Sequence, residues 1–184
     1  MSAAARFNEV AQSKGWALIC DERLAFDLPR MRDAYAYWSK VTGTRPMPKR
    51  TELSPAGMKT FLSIVSLAEM DRSDGRVRWR VRLQGSDMDR IVGPMTGHFI
   101  DEMIPSELLP RWTMPIQLVL DYWKPFRFVS EIQLPHREPG VMDSLLAPLS
   151  SNGTDFDMVF GVSGIRPHDS WAQFKETLAT VQAG

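Results

Sequence analysis

The sequence predicts an α+β domain whose elements follow in the order helix, extended tether, two strands, a cluster of helices, three strands and a final helix. Apolar residues recur at helical spacing over 31–38 and 112–123. Residues 76–83 alternate strictly between arginine and apolar side chains, which is typical of a strand with one buried face. Short turn motifs at 138–140 and 151–153 join the last three strands as antiparallel hairpins.

The N-terminal part of the chain predicts one helix and one tether. Residues 1–28 carry only a weak helical pattern that ends at Gly15, so we treat them as an N-terminal segment without assigned structure. A helix over 30–42 is predicted by an apolar stripe at i, i+3, i+4, i+7 spacing, namely Met31, Ala34, Tyr35 and Trp38. The two prolines within 44–50 forbid both helix and central strand, so 29–50 is expected to form a flanking helix and an extended tether.

The globular domain is expected over 51–167. Ser54 and Pro55 suit the N-cap and first position of a short helix that runs through Leu62, and a strand follows over 63–71. The next strand, 76–83, places one set of residues on its apolar face: Val77, Trp79, Val81 and Leu83.

The opposite face of that strand carries Arg76, Arg78, Arg80 and Arg82. Such a row suits phosphate binding, but the acidic residues Glu69 and Asp71 on the preceding strand and the neutral charge of the chain favour cross-strand ion pairs on a solvated face.

The middle and the end of the domain alternate between helices and strands. Residues 85–110 are apolar but broken by glycine and proline, which predicts short helices over a core. A long helix follows, with Thr113 as its N-cap and its end near 124–125. Strands are predicted over 126–134, 141–149 and 156–165. The last helix, 170–182 within a C-terminal segment 168–184, has the stripe Trp171, Phe174, Leu178 and Val181.

The composition excludes several classes of protein. The chain has 184 residues, 43% of them hydrophobic, and 22 basic residues balance 22 acidic ones. Nucleic-acid binding domains carry a basic surplus, so the balance disfavours that class. The single cysteine, Cys20, cannot form an internal disulfide and predicts a reducing compartment. Apolar runs of about five residues are far shorter than a membrane span, and no signal peptide is evident, so the expected location is the cytoplasm.

Several local motifs accompany this element order over about 30–166, namely Tyr37-Trp38, Gly43, Arg45, Pro48, Arg50, Ser54-Pro55, the run 79–86, Gly93 and Thr96-Gly97. In the order of its elements and in these motifs, the chain resembles the PAS-type sensory domains that are common as stand-alone proteins in alphaproteobacteria. This resemblance implies a five-stranded antiparallel sheet that cups a small-molecule cavity against helices, and a sensory or signalling role. It does not identify a ligand.

The apolar residues that we expect to face such a cavity are Trp79, Met88, Ile91, Phe99, Trp112, Ile116, Phe128, Met158 and Phe160. For each of them an ordinary core position is the alternative. Eleven methionines make the interior adaptable, because the thioether side chain repacks easily.

The resemblance also bears on cofactors. A haem-binding PAS domain carries an axial histidine on a helix between the second and third strands, where this chain has Trp112. A flavin photosensor needs a reactive cysteine near that cluster, and Cys20 lies outside the PAS-like part. The sequence therefore does not identify a cofactor, and a flavin bound without a covalent bond remains an alternative.

The sequence gives little support for catalysis. His98, His136 and His168 lie at loop-like positions, and no hydrolase, nucleotide-phosphatase or metalloprotease motif is present. The neighbouring acidic residues Asp87 and Asp89, and Asp101 and Glu102, are interpreted as caps and surface charges.

Three functional hypotheses follow. The first is a sensory domain without its own output domain, which binds a small molecule or a signalling partner, or both, and forms a homodimer. Docking is expected on helix 30–42, through Tyr35 and Trp38, and on the C-terminal helix, through Trp171 and Phe174. The second is a ligand-free interaction adaptor, and the third is a small enzyme on a cone-shaped α+β fold with an aspartate or histidine base.

Overall fold

The computed structural model describes residues 1–133, 139–166 and 170–182. Within this part of the chain the helices are α1 (Ala3–Ser13), α2 (Pro29–Thr42), α3 (Ser86–Val92), α4 (Ile100–Met103), α5 (Leu109–Tyr122) and α6 (Trp171–Gln182). The strands are β1 (Leu18–Asp21), β2 (Val65–Asp71), β3 (Arg78–Gln84), β4 (Phe126–Ile132), β5 (Gly140–Leu149) and β6 (Met158–Arg166).

These strands form one antiparallel sheet in the order β1-β4-β5-β6-β2-β3. Strands β4, β5 and β6 are the expected meander, and β2 joins the β2-β3 hairpin to β6. The described residues thus contribute six strands where we expected five. The additional strand is β1, which pairs with 127–130 of β4. Four residues are too few to show a periodicity, so the sequence pattern did not predict β1. The strand forms because the edge of β4 offers unpaired backbone groups.

Both faces of the sheet are covered. On the first face, α1, α4 and α5 pack over one apolar core, to which Phe7, Ile100 and Val119 belong. On the second face, α2 packs over another core that contains Met31, Trp38 and Phe160. The sheet therefore separates two cores, and residues 1–28, which we set apart in the sequence, build part of the first one.

Helix α2 confirms its predicted stripe, because Met31, Ala34 and Trp38 are buried. The indole Nε1 of Trp38 donates a hydrogen bond to the backbone oxygen of Pro148, 3.0 Å away. The tether then runs beside the end of β5, where the Arg50 amide donates to the Ser150 oxygen at 2.7 Å.

A β-bulge corrects the predicted face of β3. The register shifts between Leu67 and Ala68, so that Arg82 is an extra residue on β3. Trp79 and Val81 are buried in the first core as expected, but Leu83 packs against the second core. Val77 precedes the strand and is 53% exposed.

Two predicted helices differ in extent. Residues 55–61 form turns that lead into a 3₁₀ turn at Leu62–Ile64, instead of a short helix. Helix α5 begins four residues before the predicted N-cap, because Pro110 takes the place in the first turn that we assigned to Pro115. Thr113 lies inside this helix, and its hydroxyl donates to the Leu109 oxygen at 3.1 Å.

The C-terminal helix begins at Trp171, one residue after the predicted start, and the hydroxyl of Ser170 accepts a hydrogen bond from the Gln173 amide at 3.2 Å. Phe174 is buried against β4 and β5, in contact with Val129 and Val141. His136 and His168, and the side chains of Leu178 and Val181, lie outside the described part of the chain. No helix in that part combines the length and apolar character of a membrane span.

Candidate functional site

A cavity of about 380 Å³ lies between the first face of the sheet and the helices above it. Its volume falls within the usual range of small-molecule sites, roughly 300–1,000 Å³. The apolar wall includes Leu18, Leu67, Val81, Met88, Val92, Met95, Ile100, Leu108, Trp112, Ile116, Phe128, Leu146 and Val159. The polar lining residues are Ser66, Gln84, Arg111, Ser130, Glu131, Gln133, Ser144 and Ser163.

The structure brings together part of the predicted residue set. Met88 of α3, Trp112 and Ile116 of α5, and Phe128 of β4 line the cavity. Trp79 is buried in the same core without lining the cavity. These residues share a wall because the apolar stripes of α3 and α5 both face the sheet.

Met158 and Phe160 are corrected to the opposite face. Both side chains pack in the second core, under α2. The cavity is lined instead by the alternate residues Val159, Gly161 and Ser163. We placed the larger apolar side chains of β6 toward the cavity, but α2 also covers the second face, so the bulky residues pack there. The small residues leave space on the first face.

Ile91 and Phe99 are also displaced from the predicted site. Ile91 lines a second groove, between α3 and the start of α2. Phe99 lies half-buried beside β3, where the guanidinium carbons of Arg78 and Arg80 lie 3.7 and 4.1 Å from its ring centre. Its ring therefore supports the arginine face rather than the cavity.

Sequence reasoning missed the polar groups of the cavity. Ser130, Ser144 and Ser163 lie on β4, β5 and β6, and the hydroxyls of Ser144 and Ser163 are 2.8 Å apart. The available signal was a single serine on each of these three largely apolar strands. Gln84 gave no such signal, because strict alternation places it on the arginine face. Its Nε2 donates to Asp89 Oδ1 at 2.9 Å and to the Gly93 oxygen at 2.6 Å, which ties the middle and the C-terminal end of α3 to β3.

Among the residues that the structure describes, Arg111 is the basic residue that lines the cavity. It lies in the first turn of α5, and its Nη2 donates to the backbone oxygens of Glu131, at 2.6 Å, and Ala17, at 3.3 Å. Burial lowers the pKa of its guanidinium, and the charge of Glu131 opposes this. Among the described residues, no carboxylate oxygen lies within 4.0 Å of it. A charged residue between Pro110 and Trp112, in the mostly apolar first half of the helix, was the signal for it.

The arginine face confirms the ion-pair interpretation. Arg82 pairs with Glu69 at 3.2 Å, and Arg80 lies 3.8 Å from Asp71. Arg78 binds Asp101 at 2.8 Å, and this hydrogen bond lowers the pKa of that carboxyl. The predicted role of these acidic groups as surface charges fits their positions.

In the part of the chain that the structure describes, histidine, cysteine and metal-binding clusters do not line the cavity. His98 is exposed in the loop before α4. Cys20 is buried, and burial raises the pKa of its thiol far above the usual value. Within the described ranges, the structure has no group of three or more His, Cys, Asp or Glu residues that could hold a metal ion.

The chain is thus an α+β domain in which an antiparallel sheet and short helices enclose a mostly apolar cavity. A family model described as PAS domain matches residues 27–163, and the chain belongs to this family. The match runs from just before α2 into β6. Outside it, β1 extends the sheet, and α1 and α6 pack against its strands. No curated protein matches the chain. PAS domains are in general sensory rather than catalytic.

Proposed function

We propose that this chain is a sensory domain that binds a small molecule in the cavity and passes the binding event to a partner protein. The observation that carries the proposal is the cavity of about 380 Å³, which is walled by α3, α5 and the sheet. A ligand-free adaptor would fill this volume with side chains. The open volume therefore favours the sensor over the adaptor.

The route of the signal follows from the two-sided sheet. Strand β6 contributes Val159 to the cavity and Phe160 to the core under α2. A shift of β6 would therefore change the packing on both faces of the sheet. A ligand moves such an equilibrium only through its different affinities for the two arrangements. Helix α2 is therefore the proposed element that reports occupancy of the cavity.

Partner docking and homodimer formation are proposed for the outward faces of α2 and α6. The expected anchors need correction, because Trp38 and Phe174 are 5% exposed and pack within the chain. Trp171 stacks on Phe174, with ring centres 5.7 Å apart. Contacts with a partner would then use the polar outer surface of these helices.

The cone-fold enzyme has little support from the cavity. The ionisable residues that line the cavity are Arg111 and Glu131. Neither of them pairs with a histidine or aspartate in the described part of the chain. The sensor is the function that the geometry supports best.

Native mass spectrometry of the purified chain, compared with its denatured mass, tests the proposal. We expect an added small-molecule mass that is lost in Ala68→Phe, because Ala68 lines the cavity and a phenyl ring there occupies it. The matched control is Val77→Phe, which adds a ring at an exposed position outside the cavity. A chain that carries no added mass, as monomer or dimer, would support the adaptor instead.

A further inference from the structure

We propose that the ligand is an amphipathic organic anion, whose carboxylate binds Arg111 and whose apolar body extends across the sheet toward α3. This inference rests on the proposed function, since it names the chemistry of the molecule that the cavity accepts. It goes further by assigning each end of the ligand to one end of the cavity.

Among the described residues, no carboxylate lies within ion-pair distance of Arg111, although the charge of Glu131 acts on it from farther away. Its two hydrogen bonds both come from Nη2 and both end on neutral backbone oxygens, those of Ala17 and Glu131. Within the described residues, Nε and Nη1 have no hydrogen-bond partner. A guanidinium offers five donors in a planar fork that matches a carboxylate, so the side chain retains donors for a bidentate anion.

Arg127 is a second arginine that is removed from water, and carboxylates of the chain balance its charge. Arg127 is 4% exposed, and it binds Asp143 at 2.8 Å and Asp21 at 3.3 Å. Removing a charge from water is costly unless it is paired. Arg111 is partly buried on a cavity wall and has no carboxylate partner in the described part of the chain. An anion in the cavity would supply the missing charge.

The sheet order places Arg111 and α3 over opposite edges. The guanidinium is bonded to backbone next to β1 and on β4, at one edge. Met88 lies on α3, which Gln84 ties to β3 at the other edge. Four strand spacings separate β4 from β3, roughly 19 Å along the sheet. The cavity thus has a cationic end and an apolar end at a distance that suits a medium-length chain.

The lining between these ends is suited to an apolar body. Leu146 of β5 and Val159 of β6 form part of the floor, and Gly161 contributes no side chain to it. Exposure along β4 increases from the buried Phe128 to the exposed Gln133, so the cationic end is also the solvent-facing end. A carboxylate at Arg111 can therefore keep contact with water.

Glu131 also lines this end and provides the main alternative, a cationic ligand. Its side chain is not within ion-pair distance of Arg111, and its backbone oxygen is the stronger of the two acceptors for that residue. An amine probe separates the two cases, because it would bind Glu131 and be repelled by Arg111.

Isothermal titration calorimetry of the full chain tests the inference with three probes of the same chain length: decanoate, decan-1-ol and decylamine. We expect decanoate to bind about tenfold more tightly than decan-1-ol, because charge-assisted hydrogen bonds are about twice as strong as neutral ones. In Arg111→Gln, decanoate should weaken to the affinity of the alcohol, and the alcohol should be unaffected. Arg90→Gln is the matched control, since Arg90 is highly exposed and lies outside this cavity.

The outcomes separate the inference from the proposed function. If decan-1-ol binds as tightly as decanoate and Ala68→Phe abolishes both, the cavity binds ligands but the anionic assignment is wrong. Tighter binding of decylamine also overturns it. If no probe binds and the native mass is bare, the proposed function itself fails. The wild-type comparison of decanoate with decan-1-ol needs no variant, so it holds even if Arg111→Gln does not fold.

Discussion

Arg127 and Asp143 form a buried ion pair on the second face of the sheet. Arg127 Nε and Nη2 donate to the two Asp143 oxygens, both at 2.8 Å, and Nη1 reaches Asp21 at 3.3 Å. Burial raises the pKa of the Asp143 carboxyl, whereas the arginine acts in the opposite direction. The cluster joins β1, β4 and β5 through side chains as well as through backbone hydrogen bonds.

Replacing one member of this pair should destabilise the fold. In Asp143→Asn the guanidinium of Arg127 loses its fully buried counterion, so the free energy of unfolding should fall by about 3 kcal/mol. Urea denaturation followed by circular dichroism measures the change. The matched control is Asp74→Asn in the exposed Arg76–Asp74 pair, which should leave the urea midpoint unchanged. Equal midpoints for the two variants would show that the buried pair adds no stability.

At the scale of elements, sequence periodicity predicted the helices and strands that are long enough to show a repeating pattern. Helix α2, with its buried Met31 and Trp38, and the meander of β4, β5 and β6 were found from spacing and turn motifs. Strand β1 was missed because four residues carry no measurable period. Its structure depends on the edge of β4, which is a long-range property.

The prediction of the cavity residues was limited by long-range packing as well. The alternation in β6 separates Phe160 from Val159, but it does not say which set faces the cavity when both faces are covered. The predictions on helices were more accurate, since Met88, Trp112 and Ile116 line the cavity, whereas Ile91 of α3 lines a separate groove. The apolar stripe of the long helix α5 identifies its buried face, but the short helix α3 presents apolar residues to two sides.

Helix α1 lies outside the family match, yet it packs in the first core. Phe7 is 4% exposed, and its ring lies edge-on to Phe128, a cavity residue, with centres 5.3 Å apart. Phe7→Ala should therefore lower the free energy of unfolding by about 3 kcal/mol. Val10→Ala on the same helix is the control, because Val10 is 36% exposed and should lose far less. Thermal unfolding of both variants measures this, and similar losses would show that α1 is only loosely attached.

At the scale of the whole molecule, the unit that folds extends beyond the residues matched by the family model. The match begins at 27, but β1 pairs along four residues of β4 and Asp21 supplies one of the carboxylates around Arg127. Without β1, the hydrogen-bonding groups of β4 would form an open edge, which favours association with other chains. The N-terminal segment therefore completes the sheet and also contributes Leu18 to the cavity wall.

A chain that lacks residues 1–23 tests this argument. We expect it to unfold at a lower urea concentration than the full chain and to associate, because the edge of β4 and the ring of Phe128 lose their cover. Size-exclusion chromatography and urea denaturation measure both effects. A synthetic peptide of residues 1–23, added in excess, should restore the monomer or dimer of the full chain by pairing with β4 again. A truncated chain with an unchanged urea midpoint and size would show that the matched segment folds by itself, and that α1 and β1 are additions to a complete domain.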